Sequence, residues 1–316
     1  MHIISGRRGH RSRSRATALW AIGVVLGLLV TATGCTASTT GTNPNATGPQ
    51  RYVALGDSYT AGPLLGEQWG EPVDCGRSRL NYPSLVAAAL DVATFVDASC
   101  GSAKSEDMTK VQKAPLGGKA APQFDALTPD TDLVTVGIGG NDVGFDGIVK
   151  GCINLLPFPL GDAPWGRPCI TKRIVDGVDR VSVKIAEARP KVDAVLAGIR
   201  ERAPEARVFL VGYSVALPAE GDGCWPTVPI LAEDIRYLRD KYLEMNRMLA
   251  AAAADAGVGF VDLYAASVGH DVCQPWGVAW VNTVNLDPAG LPLHPNVLGH
   301  RAFAETVAAA IRDGRS

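Results

Sequence analysis

Residues 52–63 read YVALGDSYTAGP, and the rest of the chain is organised around them. Tyr52 to Leu55 is a short apolar run typical of a buried strand, and Gly56 breaks it before small residues that can begin a helix. Ser58 is therefore predicted to lie at a strand-to-helix junction. Backbone N–H groups at a helix start point at an approaching anion, so this serine would sit where an oxyanion is stabilised. Gly, Asp and Ser are also ordinary turn residues, so the tripeptide alone does not identify a nucleophile.

The composition is that of a globular protein. The 316 residues are 47% hydrophobic and 20% charged, which is enough to bury a full core. The formal net charge is -2, so the chain has no basic excess for binding the phosphates of nucleic acids. A nucleic-acid partner is therefore not expected.

The N-terminus has the pattern of an export signal. Five arginines within residues 7–15 precede the apolar run 16–30, and small residues up to Cys35 follow. The apolar run is shorter than the ~20 residues that a membrane-spanning helix needs. The ATGC segment resembles a bacterial lipobox, whose cysteine carries a lipid, although Ala32 stands where leucine is usual. Lipidation of Cys35 is predicted, with simple secretion as the alternative.

The rest of the chain is predicted to form a tether and one domain. Residues 36–50 are polar and rich in Thr, Gly, Asn and Pro, which is typical of a flexible linker. The domain organisation is therefore an export signal at 1–35, a flexible polar tether at 36–50 and a folded domain at 51–316.

Six cysteines follow Cys35, an even number in a chain with an export signal, which favours disulfides in an oxidising compartment. Their spacing leaves the connectivity open, and we expect pairing in chain order. No two are two to four residues apart, so a zinc site is disfavoured. The six are Cys75, Cys100, Cys152, Cys169, Cys224 and Cys273.

Short apolar strands alternate with amphipathic helices along the domain. Strands are predicted at 52–55, 94–98, 131–137, 207–212 and 258–263, and helices at 82–90, 174–199, 230–256 and 296–312. Strands that are nearly continuous in apolar residues predict an α/β/α sandwich of three layers around a five-stranded parallel sheet. In such sheets ligands bind beyond the carboxyl ends of the strands, so the residues that follow the strands are candidates for a site.

Polar segments follow four of these strands and together fit acyl transfer. Ser58 is the candidate nucleophile, which needs a base to take its proton. His294 is the candidate base, because imidazole changes protonation near neutral pH. Donors for a tetrahedral oxyanion are the Asn141 amide, the Ser58 N–H and the N–H of Gly101 or Ser102.

Three of these blocks carry a family resemblance: GDS at 56–58, GGND at 139–142 and HPN at 294–296. Their order and spacing resemble those of SGNH (GDSL-type) hydrolases, and more narrowly the secreted, disulfide-bonded esterases of actinomycetes. The resemblance implies a flavodoxin-like fold, the Ser58 nucleophile, the His294 base and the Asn141 oxyanion donor. It implies no metal and no organic cofactor.

The sequence departs from most of this superfamily next to the histidine. The aspartate that usually stands three residues before it is replaced by Leu291. The narrower esterase group is similar in using a main-chain carbonyl there. We therefore predict that the Leu291 carbonyl accepts from the Nδ1–H of His294, with Asp287 as the alternative orienting group.

Other polar residues have simpler structural interpretations. His300 is expected to pack inside the last helix, and His270 to form a solvated pair with its neighbour Asp271. Asp57 and Asp142 are expected to hold their turns through backbone hydrogen bonds. The segment 152–169 has two interpretations: Leu155, Leu156, Phe158 and Trp165 line an acyl pocket, or the segment is a disulfide-closed loop on the sheet edge.

The function predicted from the sequence is that of an exported, lipid-anchored serine esterase or lipase. Its substrate would be a small-molecule or lipid ester, its membrane contact the N-terminal lipid, and a monomer is the working expectation. The first alternative is a carbohydrate O-acetylesterase with the same site chemistry. The second is a surface lipoprotein that binds glycans or lipids without turnover.

Overall fold

The computed structural model describes residues 40–158, 160–161, 164–283 and 290–314. All of them belong to one compact unit, Thr36–Ser316, and the unit Met1–Cys35 lies outside them. The predicted export signal and Cys35 are therefore outside the described residues. Within the ranges given, no helix combines the length and apolarity that crossing a bilayer requires.

Ten strands and nine α-helices occur in the described ranges. The strands are β1 Thr40–Thr42, β2 Arg51–Gly56, β3 Thr94–Asp97, β4 Gln112–Lys113, β5 Lys119–Ala120, β6 Leu133–Gly137, β7 Ile174–Val175, β8 Val178–Asp179, β9 Arg207–Val211 and β10 Gly259–Val261. The helices are α1 Ser58–Ala61, α2 Tyr82–Ala89, α3 Gly140–Val143, α4 Phe145–Lys150, α5 Ile170–Arg173, α6 Arg180–Arg202, α7 Ala232–Ala256, α8 Leu263–Ala266 and α9 Val297–Arg312.

The central sheet has the strand order β1-β3-β2-β6-β9-β10. The five strands β3, β2, β6, β9 and β10 are parallel, which confirms the predicted fold class. The strand order reverses at β2, which lies between β3 and β6. The segments that follow β2 and β6 therefore meet at the switch point where open α/β sheets bind ligands.

The sixth strand, β1, lies in the segment that was predicted to be a flexible tether. It pairs antiparallel with β3, with Thr40 opposite Val96. The N–H of Thr47 then donates to Asp91 Oδ2 at 2.8 Å. The tether prediction is wrong from residue 40 onward, because an edge strand is held by backbone hydrogen bonds and needs no apolar side chains to bury.

Alternate residues of the parallel strands enter two separate cores. Val53 and Leu55 of β2 pack in the core that includes α6 and α7. Tyr52 and Ala54 pack in the core that includes α2 and α9. Because side chains of a strand alternate between faces, this division shows a sheet covered by helices on both sides. The predicted three layers are confirmed.

The helix that was predicted to begin at residue 174 begins six residues later. Residues 174–179 form the hairpin β7–β8, whose turn residues Asp176 and Gly177 have φ of 51° and 76°. An Asp-Gly pair with two positive φ angles is typical of a tight hairpin turn. Asp179 then caps α6 by accepting from the N–H groups of Val181 and Ser182.

Three disulfides join the six cysteines in the expected chain order: Cys75–Cys100, Cys152–Cys169 and Cys224–Cys273. The first ties the segment after β3 to a loop that follows α1. The second closes a loop between α4 and α5. The third links the segment after β9 to the segment after α8.

Candidate active site

Ser58 is the first residue of α1, directly after the turn that ends β2. Asp57 caps this helix, since its Oδ1 accepts from the N–H of Tyr59 at 2.9 Å. The turn requires glycine at position 56, where φ is +150° and a Cβ would lie 2.7 Å from the carbonyl oxygen of Gly137. The predicted strand-to-helix junction is therefore present, and it holds the serine at the switch point.

His294 lies next to Ser58, although 236 residues separate them in the chain. Ser58 Oγ and His294 Nε2 are 2.8 Å apart. The other ring nitrogen, Nδ1, is 2.9 Å from the carbonyl oxygen of Pro292. A carbonyl only accepts, so Nδ1 carries the proton and Nε2 is free to accept from the serine hydroxyl. This tautomer is the one that a general base requires.

The predicted orienting role of the Leu291 carbonyl is wrong, because Pro292 supplies the carbonyl instead. The Leu291 oxygen accepts from the backbone N–H of His294 at 3.3 Å and from Asn282 Nδ2 at 3.2 Å. Leu293 has a φ of +56°, which turns the chain so that the imidazole folds back over residue 292. Asp287, the alternative orienting group, lies outside the described residues.

Burial lowers the pKa of His294 below its ordinary value of 6.5. The hydrogen bond to the Pro292 carbonyl and the charge of Asp146 act in the opposite direction and offset part of this effect. A lowered pKa keeps the imidazole neutral at pH 7, which is the state that can take a proton.

The predicted oxyanion donors do not all remain available. Asn141 lies in α3 and points one Nδ2 N–H at the carbonyl of Ala103, at 2.9 Å, which leaves its second N–H. The N–H of Gly101 donates to the carbonyl of Cys75 at 2.8 Å, so Gly101 is wrong as a donor. The Cys75–Cys100 disulfide brings that carbonyl next to Gly101. Ser102, with a φ of +62°, stays a predicted donor.

Sequence reasoning missed Tyr213, which joins the two segments that carry Ser58 and Asn141. Its hydroxyl donates to Asp57 Oδ2 at 2.5 Å and accepts from the N–H of Gly140 at 2.8 Å. Burial raises the pKa of Asp57 to about 7, although the Tyr213 hydrogen bond lowers it. Only the position of Tyr213 just beyond β9, at the same sheet edge, could have indicated this role.

The competing histidines lie elsewhere. His300 is fully buried in α9, where its Nδ1 accepts from the N–H of Tyr82 at 3.0 Å, so the packing interpretation is confirmed. His270 is not a solvated pair with Asp271. Its ring stacks on Trp280 at 3.8 Å between centroids, and its Nδ1 lies 2.7 Å from the Val278 carbonyl.

We predict that His300 makes the protein less stable in mild acid. Burial lowers its pKa from 6.5 to about 3, so between these values the unfolded chain binds one more proton than the folded chain. The contribution of His300 to the free energy of unfolding should therefore fall by about 1.4 kcal/mol per pH unit as the pH decreases from 6.5 toward 3, while Asp57, whose pKa is raised to about 7, contributes with the opposite sign above pH 3.8. Urea unfolding at several pH values measures this slope. His300→Gln does not titrate, so the difference in free energy of unfolding between the wild type and this variant isolates His300, and a difference that stays constant with pH would contradict the assignment.

A cavity of about 240 Å³ opens beside the serine and histidine. Ser58, Asn141 and His294 are among the residues that line it. Three tyrosines and the charged residues Asp57, Asp146 and Lys150 also line it. The apolar residues of the wall are Phe145, Val149, Ile153, Ala216, Leu217, Met245, Pro292 and Leu293.

The disulfide-closed segment 152–169 contributes only Ile153 to the described cavity wall. Leu155, Phe158 and Trp165 are instead more than half exposed to solvent. The interpretation of these residues as an acyl-pocket wall is therefore wrong. The Cys152–Cys169 disulfide closes the loop, as the second interpretation expected, and packing of the loop on the sheet edge stays a prediction.

The fold and the site together define a class, the SGNH-type hydrolases, in which a serine and a histidine meet beyond the carboxyl edge of a parallel sheet. Comparison with known proteins agrees. Residues 54–302 match the model of the GDSL-like Lipase/Acylhydrolase family, and the chain belongs to this family. It is a carboxylic ester hydrolase of the lipase/esterase type.

Relatives and solved structures from Streptomyces are similar to this chain. Lipase 2 of Streptomyces coelicolor is 37% identical over 261 residues, which cover 80% of this chain and 83% of the relative. The crystal structure of phospholipase A1 from Streptomyces albidoflavus has a TM-score of 0.67 at 26% identity, covering 85% of this chain and 100% of that chain. An extracellular lipase from Streptomyces rimosus gives 0.61 at 27% identity, with coverages of 83% and 99%.

Proposed function

We propose that the chain is an exported lipase or esterase that hydrolyses carboxylic esters through an acyl-enzyme on Ser58. One observation carries this proposal: the 2.8 Å contact between Ser58 Oγ and His294 Nε2, two residues that line the same cavity. The family membership supports the reaction class. The positions of the two side chains support their individual roles.

In the acylation step, Ser58 Oγ attacks the ester carbonyl carbon while His294 Nε2 takes the hydroxyl proton. The negative charge that forms on the carbonyl oxygen is stabilised by the Ser58 N–H, the Asn141 amide and the Ser102 N–H. One such donor typically contributes about 10²–10³ in rate. Collapse of the tetrahedral intermediate breaks the ester C–O bond, and the imidazolium returns the proton to the leaving alcohol.

In the deacylation step, a water molecule replaces the alcohol as the nucleophile. His294 takes its proton, hydroxide adds to the acyl carbon, and the intermediate expels Ser58 Oγ, which regains the proton from the imidazolium. The Pro292 carbonyl accepts from Nδ1–H throughout and fixes the plane of the ring. It is neutral, so its contribution is orientation rather than neutralisation of the imidazolium charge.

The cavity favours an apolar acyl group over an acetyl group. Its wall beyond the catalytic pair contains six Phe, Val, Ile, Leu and Met side chains and three tyrosine rings. Burying each CH₂ of an acyl chain in such a wall contributes about 0.8 kcal/mol. We therefore propose a lipid ester as substrate and do not favour the carbohydrate O-acetylesterase alternative. A similar protein, the Streptomyces phospholipase A1, makes a phospholipid ester one candidate.

Export is part of the proposal. The arginine-rich start, the apolar run 16–30 and the ATGC segment support an export signal, with lipidation at Cys35. The similar Streptomyces rimosus lipase is extracellular. The three disulfides are consistent with an oxidising compartment.

A fluorophosphonate probe tests the proposed nucleophile. The probe phosphonylates a serine only when a base activates it, so we expect one adduct, on the tryptic peptide that contains Ser58. Intact-mass analysis should give one equivalent bound per folded chain, and urea-unfolded protein should give none. Labelling at another serine, or no labelling of correctly oxidised protein, would contradict the proposal.

We predict that Tyr213→Phe lowers kcat by about 10- to 100-fold with little change in KM. Loss of the hydroxyl releases both the Asp57 carboxyl and the Gly140 N–H, so the nucleophile and the Asn141 segment lose their common anchor. Tyr52→Phe is the matched control, because it removes another buried tyrosine hydroxyl, bonded to Thr135, outside the cavity. If Tyr213→Phe and Tyr52→Phe lower kcat by the same factor, Tyr213 acts through the stability of the fold alone.

A further inference from the structure

Tyr59 joins the helix that carries the nucleophile to the loop that carries the base. It follows Ser58 in α1, and its hydroxyl donates to the carbonyl oxygen of Leu293 at 2.7 Å. Leu293 directly precedes His294. The hydrogen bond therefore spans 234 residues of the chain and connects the immediate neighbours of the two catalytic side chains.

Asn282 holds the loop 291–294 through its own backbone. The Asn282 N–H donates to the carbonyl of His294 at 3.0 Å, and the Asn282 carbonyl accepts from the N–H of Leu293 at 3.1 Å. These two bonds fix the loop to a neighbouring segment but not to the nucleophile. The hydrogen bond from Tyr59 is what holds the backbone of this loop to α1.

Leu293 needs this support because its backbone is strained. Its φ of +56° lies in the left-handed region, which costs a leucine conformational free energy. The same φ turns the His294 ring toward the Pro292 carbonyl. Relaxation to an ordinary φ would move the ring away from this acceptor and from Ser58. A donor that binds the Leu293 carbonyl opposes that relaxation.

The Tyr59 side chain is itself packed inside the site. Its ring centroid lies 5.0 Å from that of His294 and 5.2 Å from that of Tyr213, and all three side chains line the cavity. Burial raises the pKa of Tyr59 well above 10, so the hydroxyl keeps its proton wherever the imidazole is neutral and active. The donor is therefore both held in place and protonated during turnover.

We propose that Tyr59 is a positioning residue for the ester hydrolysis, whose hydroxyl clamps the Leu293 carbonyl and so keeps the His294 imidazole aligned with the nucleophile. The proposal rests on the proposed function, since it assigns a role within the same catalytic pair. Tyr59 takes no part in the proton transfer and acts through the position of the imidazole. Misplacing a reacting group by about 1 Å can cost about 10²-fold in rate.

Tyr59→Phe tests the clamp, because it removes the hydroxyl and keeps the ring against His294. We expect kcat for the butyryl nitrophenyl ester to fall by about 10- to 50-fold, with KM changed by less than about twofold. Fluorophosphonate labelling of Ser58 should slow by a similar factor and still reach one equivalent per chain. A purely structural role would give the opposite pattern, in which fewer chains are labelled, each at the wild-type rate.

Two further variants separate positioning from general damage. Tyr237→Phe is the matched control, since it removes a buried tyrosine hydroxyl that donates to Asp179 at 2.8 Å, and Tyr237 is not among the residues that line the cavity. It should leave kcat within about twofold of the wild type. In a His294→Gln background, Tyr59→Phe should lower kcat no further, because no imidazole is left to position.

Three results would overturn the positioning role of Tyr59: an unchanged kcat in Tyr59→Phe, an equal loss in Tyr237→Phe, or the same fold loss with and without His294. Each differs from a failure of the proposed function. If Ser58 were not the nucleophile, the wild-type protein would not be labelled there at all. If only the clamp were wrong, Tyr59→Phe would be labelled on Ser58 at the wild-type rate.

Discussion

Replacing Ser58 with alanine is expected to lower kcat for a soluble nitrophenyl ester by on the order of 10⁴–10⁶, because no other group takes the place of the nucleophile. The oxyanion donors and the cavity stay in place, so KM should change by less than about threefold. Steady-state rates on the butyryl ester measure both quantities. Because the serine hydroxyl is small and half-buried, the variant should fold normally.

Ser99→Ala is the control for this substitution. Ser99 is a buried serine at the same sheet edge, and its hydroxyl is bonded to Asp97 rather than to a histidine. It should retain most of the activity. A Ser58→Ala protein that kept more than about a hundredth of the wild-type rate would require a different nucleophile and would overturn the proposed mechanism.

His294→Gln is expected to lower kcat by a similar factor, on the order of 10⁴ or more, since an unassisted serine hydroxyl is a weak nucleophile. The amide can still bond to Ser58 Oγ but cannot take its proton. His270→Gln serves as the control. The His270 ring stacks on Trp280, and its replacement should leave kcat nearly unchanged.

The double variant Ser58→Ala/His294→Gln distinguishes a cooperating pair from two independent contributions. Groups that act as one unit are non-additive, so the double variant should be no slower than either single variant. If the double variant instead lost kcat by the product of the two single losses, Ser58 and His294 would not act as one unit across their 2.8 Å contact.

Much of the fold could be predicted from the sequence, because the apolar strands are buried on both faces and read as continuous runs. Along β2, Val53 and Leu55 face one core while Tyr52 and Ala54 face the other, and this alternation can be read from neighbouring residues alone. The helices that cover the two faces are predicted by the spacing of their own apolar residues. β1 could not be found this way. Its three residues, Thr-Gly-Thr, carry no apolar pattern, and only the free edge of β3 makes them a strand.

The candidate site was predictable where a side chain does the chemistry and not where the backbone does. Ser58, Asn141 and His294 are visible as residue types following strands. The acceptor for Nδ1 depends on the positive φ of Leu293, which moves the ring from the Leu291 carbonyl to that of Pro292. Residue identities do not encode that difference of one peptide unit.

Some side-chain positions also could not be predicted from the sequence, and Tyr213 and the loop 152–169 are two examples. Nothing in the sequence near Tyr213 indicates that its hydroxyl meets Asp57, because the contact spans 156 residues and depends on β2 and β9 flanking β6. The loop was correctly seen as apolar and disulfide-closed. Whether its side chains faced the cavity or the solvent depended on backbone direction, which composition does not give.

The Pro292 carbonyl has a consequence for how this enzyme tolerates genetic change. A carboxylate that orients a histidine can be deleted by one codon, whereas a peptide oxygen is present whichever amino acid occupies its position. The vulnerable property is the path of the loop through Leu293. Insertions or deletions between residues 290 and 294, rather than replacements of residue 292, are therefore the lesions that should abolish turnover in a randomly mutated population.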